Sequence, residues 1–222
     1  KESRTYSDIP SSGYGSRSSN YGRSLYAYDS VGRRNQTTDP GDTVDKTTYN
    51  AMAWPVKRET GTVSASLVTI LTNLFDDDGN LTKATLPVDS ASGHNRVTDY
   101  SYDWRGRRFE MKTIVERDGG STWTLITRFG YDNRNLPTEV TGYHTSVTSS
   151  RRISYQTSAY DNLGRLFQSS VYGVDASGNT SNPQVSNRYY SKTGQVAREA
   201  PAGSKLFTAT AYAEGQSGDT TK

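Results

Sequence analysis

Apolar residues are thinly spread along this chain, and they come in short β-prone runs separated by polar turns. Arg108 to Val115 and Leu166 to Tyr172 are two such runs, each directly following a glycine-containing turn. Val63 to Phe75 has a helical alternative, because Val63, Leu67, Ile70, Leu71 and Leu74 fit a 3.6-residue period. Val68, Thr69, Ile70 and Thr72 in the same run favour a strand, being stiff at χ1, and Phe75 opens a turn signature of the kind described next. The strand reading is therefore taken. No hydrophobic run approaches the roughly 20 residues of a membrane-spanning helix, so no membrane span is expected.

The turns repeat. Tyr28-Asp29-Ser30-Val31-Gly32-Arg33, Tyr102-Asp103-Trp104-Arg105-Gly106-Arg107 and Tyr160-Asp161-Asn162-Leu163-Gly164-Arg165 share the pattern Tyr-Asp-x-x-Gly-Arg. Worn copies begin at Tyr49, Phe75, Tyr131 and Tyr190, and Tyr212 begins what reads as an eighth. The starts lie 21, 26, 27, 29, 29, 30 and 22 residues apart, a drift that suits loops of variable length in a copied hairpin unit. In the copy at Tyr131 the glycine position holds Asn135, the usual second choice for a left-handed backbone.

The chemistry of the motif is that of a tight reversal. The aspartate can accept a hydrogen bond from the backbone two residues on, and the glycine three residues after it takes positive φ, which describes a type I turn with a glycine bulge. Tyrosine and arginine are expected to flank each loop as cross-strand neighbours, with the guanidinium on the ring face. Second turn signals fall about half-way between motifs, at Asp118-Gly119-Gly120, Thr145 to Ser150 and Gly173 to Pro183. Each repeat is thus read as two antiparallel strands, and the fold class as all-β, an antiparallel meander of these hairpins.

Three parts are expected: residues 1–27, a Ser/Gly/Tyr-rich low-complexity segment; 28–211, the repeat array; and 212–222, a tail or the start of a further repeat. Val, Ile, Leu and Phe together number only 35 of 222, but the formal charge of +3 is small, and 16 Tyr with 28 Thr favour a half-buried pleated surface over disorder. There is no cysteine, which excludes disulfides and thiolate zinc sites. Lys1 in place of an initiator methionine, with no signal peptide, is expected of a processed product or an excised segment.

Candidate chemistry is sparse. Arg33-Arg34, Arg107-Arg108 and Arg151-Arg152 are separate pairs and not a basic stripe, so no nucleic-acid binding is expected. His94 and His144 are read as solvated loop residues, without a nucleophile motif beside them. Asp76-Asp77-Asp78-Gly79-Asn80 fails the calcium-loop spacing and is read as a repeat turn, and Asp39-Pro40-Gly41-Asp42 as a turn between strands. Asn35, Asn80 and Asn179 head glycosylation triplets that are assigned no role. Trp54, Trp104 and Trp123 are read as cross-strand core residues, with a sugar-stacking surface as the alternative. No catalytic, cofactor or metal site is assigned, and no enzyme is expected.

Tyr-Asp-x-x-Gly-Arg at these intervals, from Tyr28 to Tyr212, resembles the RHS or YD-repeat family of bacterial surface proteins, toxin complexes and teneurins. The resemblance implies a spiralling antiparallel sheet forming a shell-like solenoid, which in toxin members encloses a toxic C-terminal segment. The chain lacks the self-cleavage segment of such members, since Asp39-Pro40 has its glycine misplaced and repeats still follow. The expected function is a structural extracellular or cell-surface scaffold, part of a shell or of a fibre assembled end to end by strand addition; the alternative is a fragment of a toxin-enclosing cocoon or a glycan-binding adhesin module. The partners expected are further copies or neighbouring repeats, with a glycan as a further candidate. The residues expected to matter are turn formers: Tyr28, Asp29, Gly32, Arg33, Tyr102, Asp103, Gly106, Arg107, Tyr160, Asp161, Gly164 and Arg165.

Overall fold

A computed structural model describes residues 1–17, 19–63, 65–88, 95–116, 122–203 and 208–209. The Asp118-Gly119-Gly120 turn, His94 and the tail from Tyr212 lie outside the described residues. The chain is all-β. Among the described residues sixteen strands hydrogen-bond in strict chain order, β1 (Glu2–Tyr6) to β16 (Thr208–Ala209), and every strand-to-strand pairing described is antiparallel. From Val68 on, the run with helical spacing is strand β6 (Val68–Phe75), as its β-branched residues require, and Val63 and Leu67 lie before the strand.

Two compact units divide the chain. The first comprises Lys1–Asp99 with Ile114–Thr122. It holds β1, β2 (Tyr21–Tyr28), β3 (Arg34–Thr38), β4 (Thr43–Tyr49), β5 (Pro55–Thr62), β6 and β7 (Leu81–Pro87). β8 (Asn95–Tyr102) begins there. Among its described residues the buried side chains are Thr38, Val44, Ala84 and Thr98, all small or β-branched. The stretch 1–27 supplies β1 and most of β2, and its connecting loop is pinned. Ser7 and Asp8 N–H both reach the Asn20 carbonyl, at 2.9 and 3.2 Å, and Arg17 bonds the Pro40 carbonyl and the Asp42 carboxylate.

The second unit comprises Tyr100–Thr113 with Trp123–Lys222. Its strands include β10 (Thr122–Tyr131), β11 (Pro137–His144), β12 (Arg152–Tyr160), β13 (Leu166–Val174), β14 (Thr180–Tyr190) and β15 (Val196–Ala200); β9 (Arg108–Glu116) starts in it. Ile126, Thr141 and Ser170 are buried, and Tyr155 packs against its cross-strand partner Tyr172 with ring centroids 4.7 Å apart and planes tilted by 45°. Burial pushes the Tyr155 hydroxyl above its ordinary value.

The second turn in this unit is shorter than the sequence suggests. Gly173 and Thr180 to Pro183 belong to β13 and β14, and only Asp175 to Asn179 reverse the chain. Tyr172 opposes Pro183, and the register shifts between Tyr172 and Val174, so the proline is accommodated where the ladder is already irregular. His144 also departs from its reading as a loop residue: it ends β11, half-buried, edge-on to Trp123 at 5.5 Å.

Candidate functional site: the repeat turns and their seam

The first residue of each turn does most of the local work. At the first motif Asp29 N–H bonds the Arg33 carbonyl at 2.9 Å, and Gly32 N–H bonds the Asp29 carbonyl at 3.0 Å. The Asp29 carboxylate accepts from Val31 N–H at 3.1 Å, Arg33 N–H at 2.9 Å and Arg33 Nε at 2.6 Å. Asp103 and Asp161 repeat the set with Arg105 and Arg107, and with Leu163 and Arg165, at 2.7 to 3.0 Å. The geometry closes only if the fifth motif residue is left-handed. Gly32, Gly106 and Gly164 have φ of 85°, 72° and 80°, and Asn135 and Ala53 take the same place in worn copies at 67° and 66°.

A bulge accompanies six of the motif turns. The register shifts just before Tyr28, Tyr49, Phe75, Tyr131, Tyr160 and Tyr190, so that each aromatic opposes the residue six positions on, as Tyr28 opposes Arg34 and Tyr160 opposes Leu166. At the first and third clean motifs the tyrosine therefore opposes the residue after its own arginine. Instead Arg33 lies over Tyr49 at 4.9 Å, Arg107 over Tyr131 at 5.0 Å and Arg165 over Tyr190 at 4.5 Å, each the aromatic of the following repeat. This corrects the expected pairing within a motif. Once Nε is held by the aspartate, the far end of the guanidinium points across the sheet and not back over the loop.

The tyrosine hydroxyl completes the seam. Tyr131, Tyr160 and Tyr190 donate to the carbonyls of Arg108, Pro137 and Leu166 in the preceding repeat, at 2.9, 3.0 and 2.7 Å. In the other direction Arg33 and Arg107 Nη1 donate to the carbonyls of Asn50 and Asp132 at 3.3 and 3.0 Å. Where Leu136 stands in the arginine position, Arg134 reaches over from within the turn to the Asp161 carbonyl at 2.6 Å. At the second repeat Trp54 stands there, and it packs on Phe75 with centroids 5.4 Å apart. An aromatic pair thus stands where the clean motifs place a cation over a ring.

Hydrogen bonding holds the turn carboxyls below their ordinary range. The Arg107 side chain is the chief cause at Asp103, the Arg165 backbone N–H at Asp161, the Leu136 N–H at Asp132, and the Asn80 and Asn179 side chains at Asp76 and Asp175. At Asp29 lost hydration pushes upward as the largest single influence, yet the Arg33 and Val31 bonds together outweigh it.

Asp39 and Asp175 build the same reversal without the flanking Tyr and Arg. Asp39 accepts from Thr43 N–H at 2.8 Å with Asp42 at φ 64°, and Asp175 accepts from Ser177 and Asn179 N–H at 2.8 and 2.9 Å with Gly178 at φ 78°. The sequence marks both stretches as turns, and an Asp followed three residues later by Gly, Asp or Asn marks them as the same reversal. Trp104 is 85% exposed at the tip of its turn and carries Arg105 on its ring at 4.6 Å, which removes it from the core where the sequence reading put it. Among the described residues no group of three or more His, Cys, Asp or Glu could hold a metal ion, and no helix is long and apolar enough to cross a membrane.

No family model and no curated protein matches the chain. Solved structures do. It is similar to a chain of a mutant Tc holotoxin pore of Photorhabdus luminescens, with a TM-score of 0.60 and 13% identity over 89% of this chain and 10% of that one. It is similar also to a chain in the crystal structure of TcdB2-TccC3, with a TM-score of 0.62 and 12% identity over 93% of this chain and 11% of that one. The TcdB2-TccC3 structure that contains Cdc42 gives 0.63 at the same coverage and identity. The likeness is one of fold, and the chain spans about a tenth of the length of these neighbours.

Proposed function

We propose that this chain is a stretch of wall in a YD-repeat shell of the toxin-enclosing kind, acting outside the cytoplasm as a barrier and not as a catalyst. The observation that carries the reading is the match of about nine-tenths of the chain to Tc toxin chains, at TM-scores of 0.60 to 0.63. The seam supports it physically. A shell wall one sheet thick buries little, here Val44, Ala84 and Ile126 as the only apolar residues under a tenth exposed among those described. Its continuity then depends on backbone ladders and on side-chain joints between repeats. The same neighbours favour the cocoon over the fibre assembled end to end.

Electron cryomicroscopy of the purified whole gene product that carries this chain tests the proposal. The expected result is a hollow particle with these repeats in its wall and density enclosed within. Extended filaments, or an open sheet wet on both faces, would refute it.

A further inference from the structure

The sequence carries three Arg-Arg pairs, and the fold treats one of them differently. In Arg33-Arg34 and Arg107-Arg108 the first arginine is locked, with Nε on Asp29 or Asp103, Nη1 on a carbonyl of the next turn and the guanidinium over a tyrosine. The second arginine of each pair begins a strand. Arg152 likewise begins a strand, β12, but Arg151 closes the connection 145–151 between β11 and β12. Thr148, Ser149, Ser150 and Arg151 are all exposed there, and no acid lies between Thr145 and Ser150. The Arg151 side chain makes no hydrogen bond or ion pair among the described residues.

The backbone of this connection is held by short-range bonds. Ser146 N–H reaches the His144 carbonyl at 2.9 Å, Thr148 N–H that of Ser146 at 3.0 Å and Arg151 N–H that of Thr148 at 3.0 Å. Ser149 to Arg151 form one 3-10 turn; Thr148 and Arg152 on either side of it are extended, with ψ of 152° and 134°, so this one turn has to open for Arg151 to lie in an extended segment. Trypsin-like serine proteases bind an extended segment and seat a basic side chain in a pocket floored by a carboxylate. The motif arginines cannot enter such a pocket without leaving a carboxylate of their own; Arg151 has none to leave.

We infer that the Arg151–Arg152 peptide bond is a processing site for a trypsin-like serine protease, and that the cut leaves both halves in place. The step adds one water across the bond, giving a carboxylate at Arg151 and an ammonium at Arg152, with no redox change. β11 and β12 flank the bond and stay paired from Glu139 with Thr157 to Tyr143 with Arg152, and Thr141 between them is fully buried. Gly178 sets the loop's position: a Cβ added there would collide with the Ser149 carbonyl, so the loop rests against the β13–β14 turn. The inference is independent of the shell reading.

Limited digestion of the folded chain with trypsin tests it, followed by peptide mapping and size-exclusion chromatography. The bond after Arg151 should be cut at least tenfold faster than those after Arg33 and Arg107, and the nicked halves should elute together with uncut chain. Arg151→Gln should abolish that cut. Gly178→Asn, which tolerates the left-handed backbone but carries a Cβ, should speed it several-fold. Similar rates at the three pairs, separation of the halves without denaturant, or no acceleration in Gly178→Asn would each overturn the inference.

Discussion

The seam makes a quantitative claim about Arg165. Its Nε is held by Asp161 at 2.7 Å, and its guanidinium lies 4.5 Å from the ring centroid of Tyr190, twenty-five residues away, with the side chain 28% exposed. A cation over a ring is worth about 0.5–1 kcal/mol at a partly exposed site. Tyr190 adds a hydrogen bond to the Leu166 carbonyl at 2.7 Å, worth about 1 kcal/mol net. Tyr190→Phe should therefore cost about 1 kcal/mol while keeping the stack, and Tyr190→Leu should cost both contributions.

The decisive number is the coupling. In a double-mutant cycle of Arg165→Ala with Tyr190→Leu, urea unfolding should give an interaction free energy of about 0.5–1 kcal/mol. The same cycle with Tyr160→Leu, the tyrosine of Arg165's own motif, should give a value within about 0.3 kcal/mol of zero. Equal coupling to both tyrosines, or coupling to Tyr160 alone, would refute the seam and restore the pairing within the motif.

Other expectations follow from the same geometry. Gly164→Val should destabilise by a few kcal/mol, because a β-branched residue at φ 80° is strained, whereas Gly164→Asn should cost far less; thermal melting separates the two, at about 2–4 °C per kcal/mol. An unchanged melting temperature in Gly164→Val would show that the turn does not need its left-handed residue. Trp54→Ala should cost about 2 kcal/mol through the lost contact with Phe75, read by the same melt. The turn carboxyls titrate lower in the folded chain than in the unfolded one, so the unfolded chain binds more protons and their stabilisation is present above the unfolded value of about 3.9. It is lost as pH falls through the folded values, so urea midpoints should hold level from neutrality to about pH 4 and drop below it. Asp103→Asn and Asp161→Asn together should flatten that drop.

What was legible in the sequence is what is local. Asp29 and Gly32 act within four residues of themselves, so their roles can be read from spacing and side-chain chemistry alone. The partner of Arg165 is not local, and nothing near it says that the bulge before Tyr160 turns the guanidinium toward the next repeat. The Asp39 and Asp175 turns use the same carboxylate chemistry but lack the aromatic and the arginine that make a motif conspicuous. Trp54 and Phe75 were visible as departures from the pattern; that they answer each other across the seam follows only from the register. Trp104 looked like core because tryptophan usually is, yet its place two residues after a motif tyrosine puts it on the turn tip.

The central claim is that the arginine of a clean motif lies over the tyrosine of the following repeat, as Arg33, Arg107 and Arg165 do. A nuclear Overhauser spectrum of the folded chain measures it directly. The account requires cross-peaks from the Arg165 side chain to the Tyr190 ring and from Tyr160 to Leu166 across the bulge. Cross-peaks from Arg165 to the Tyr160 ring, with none to Tyr190, would contradict it.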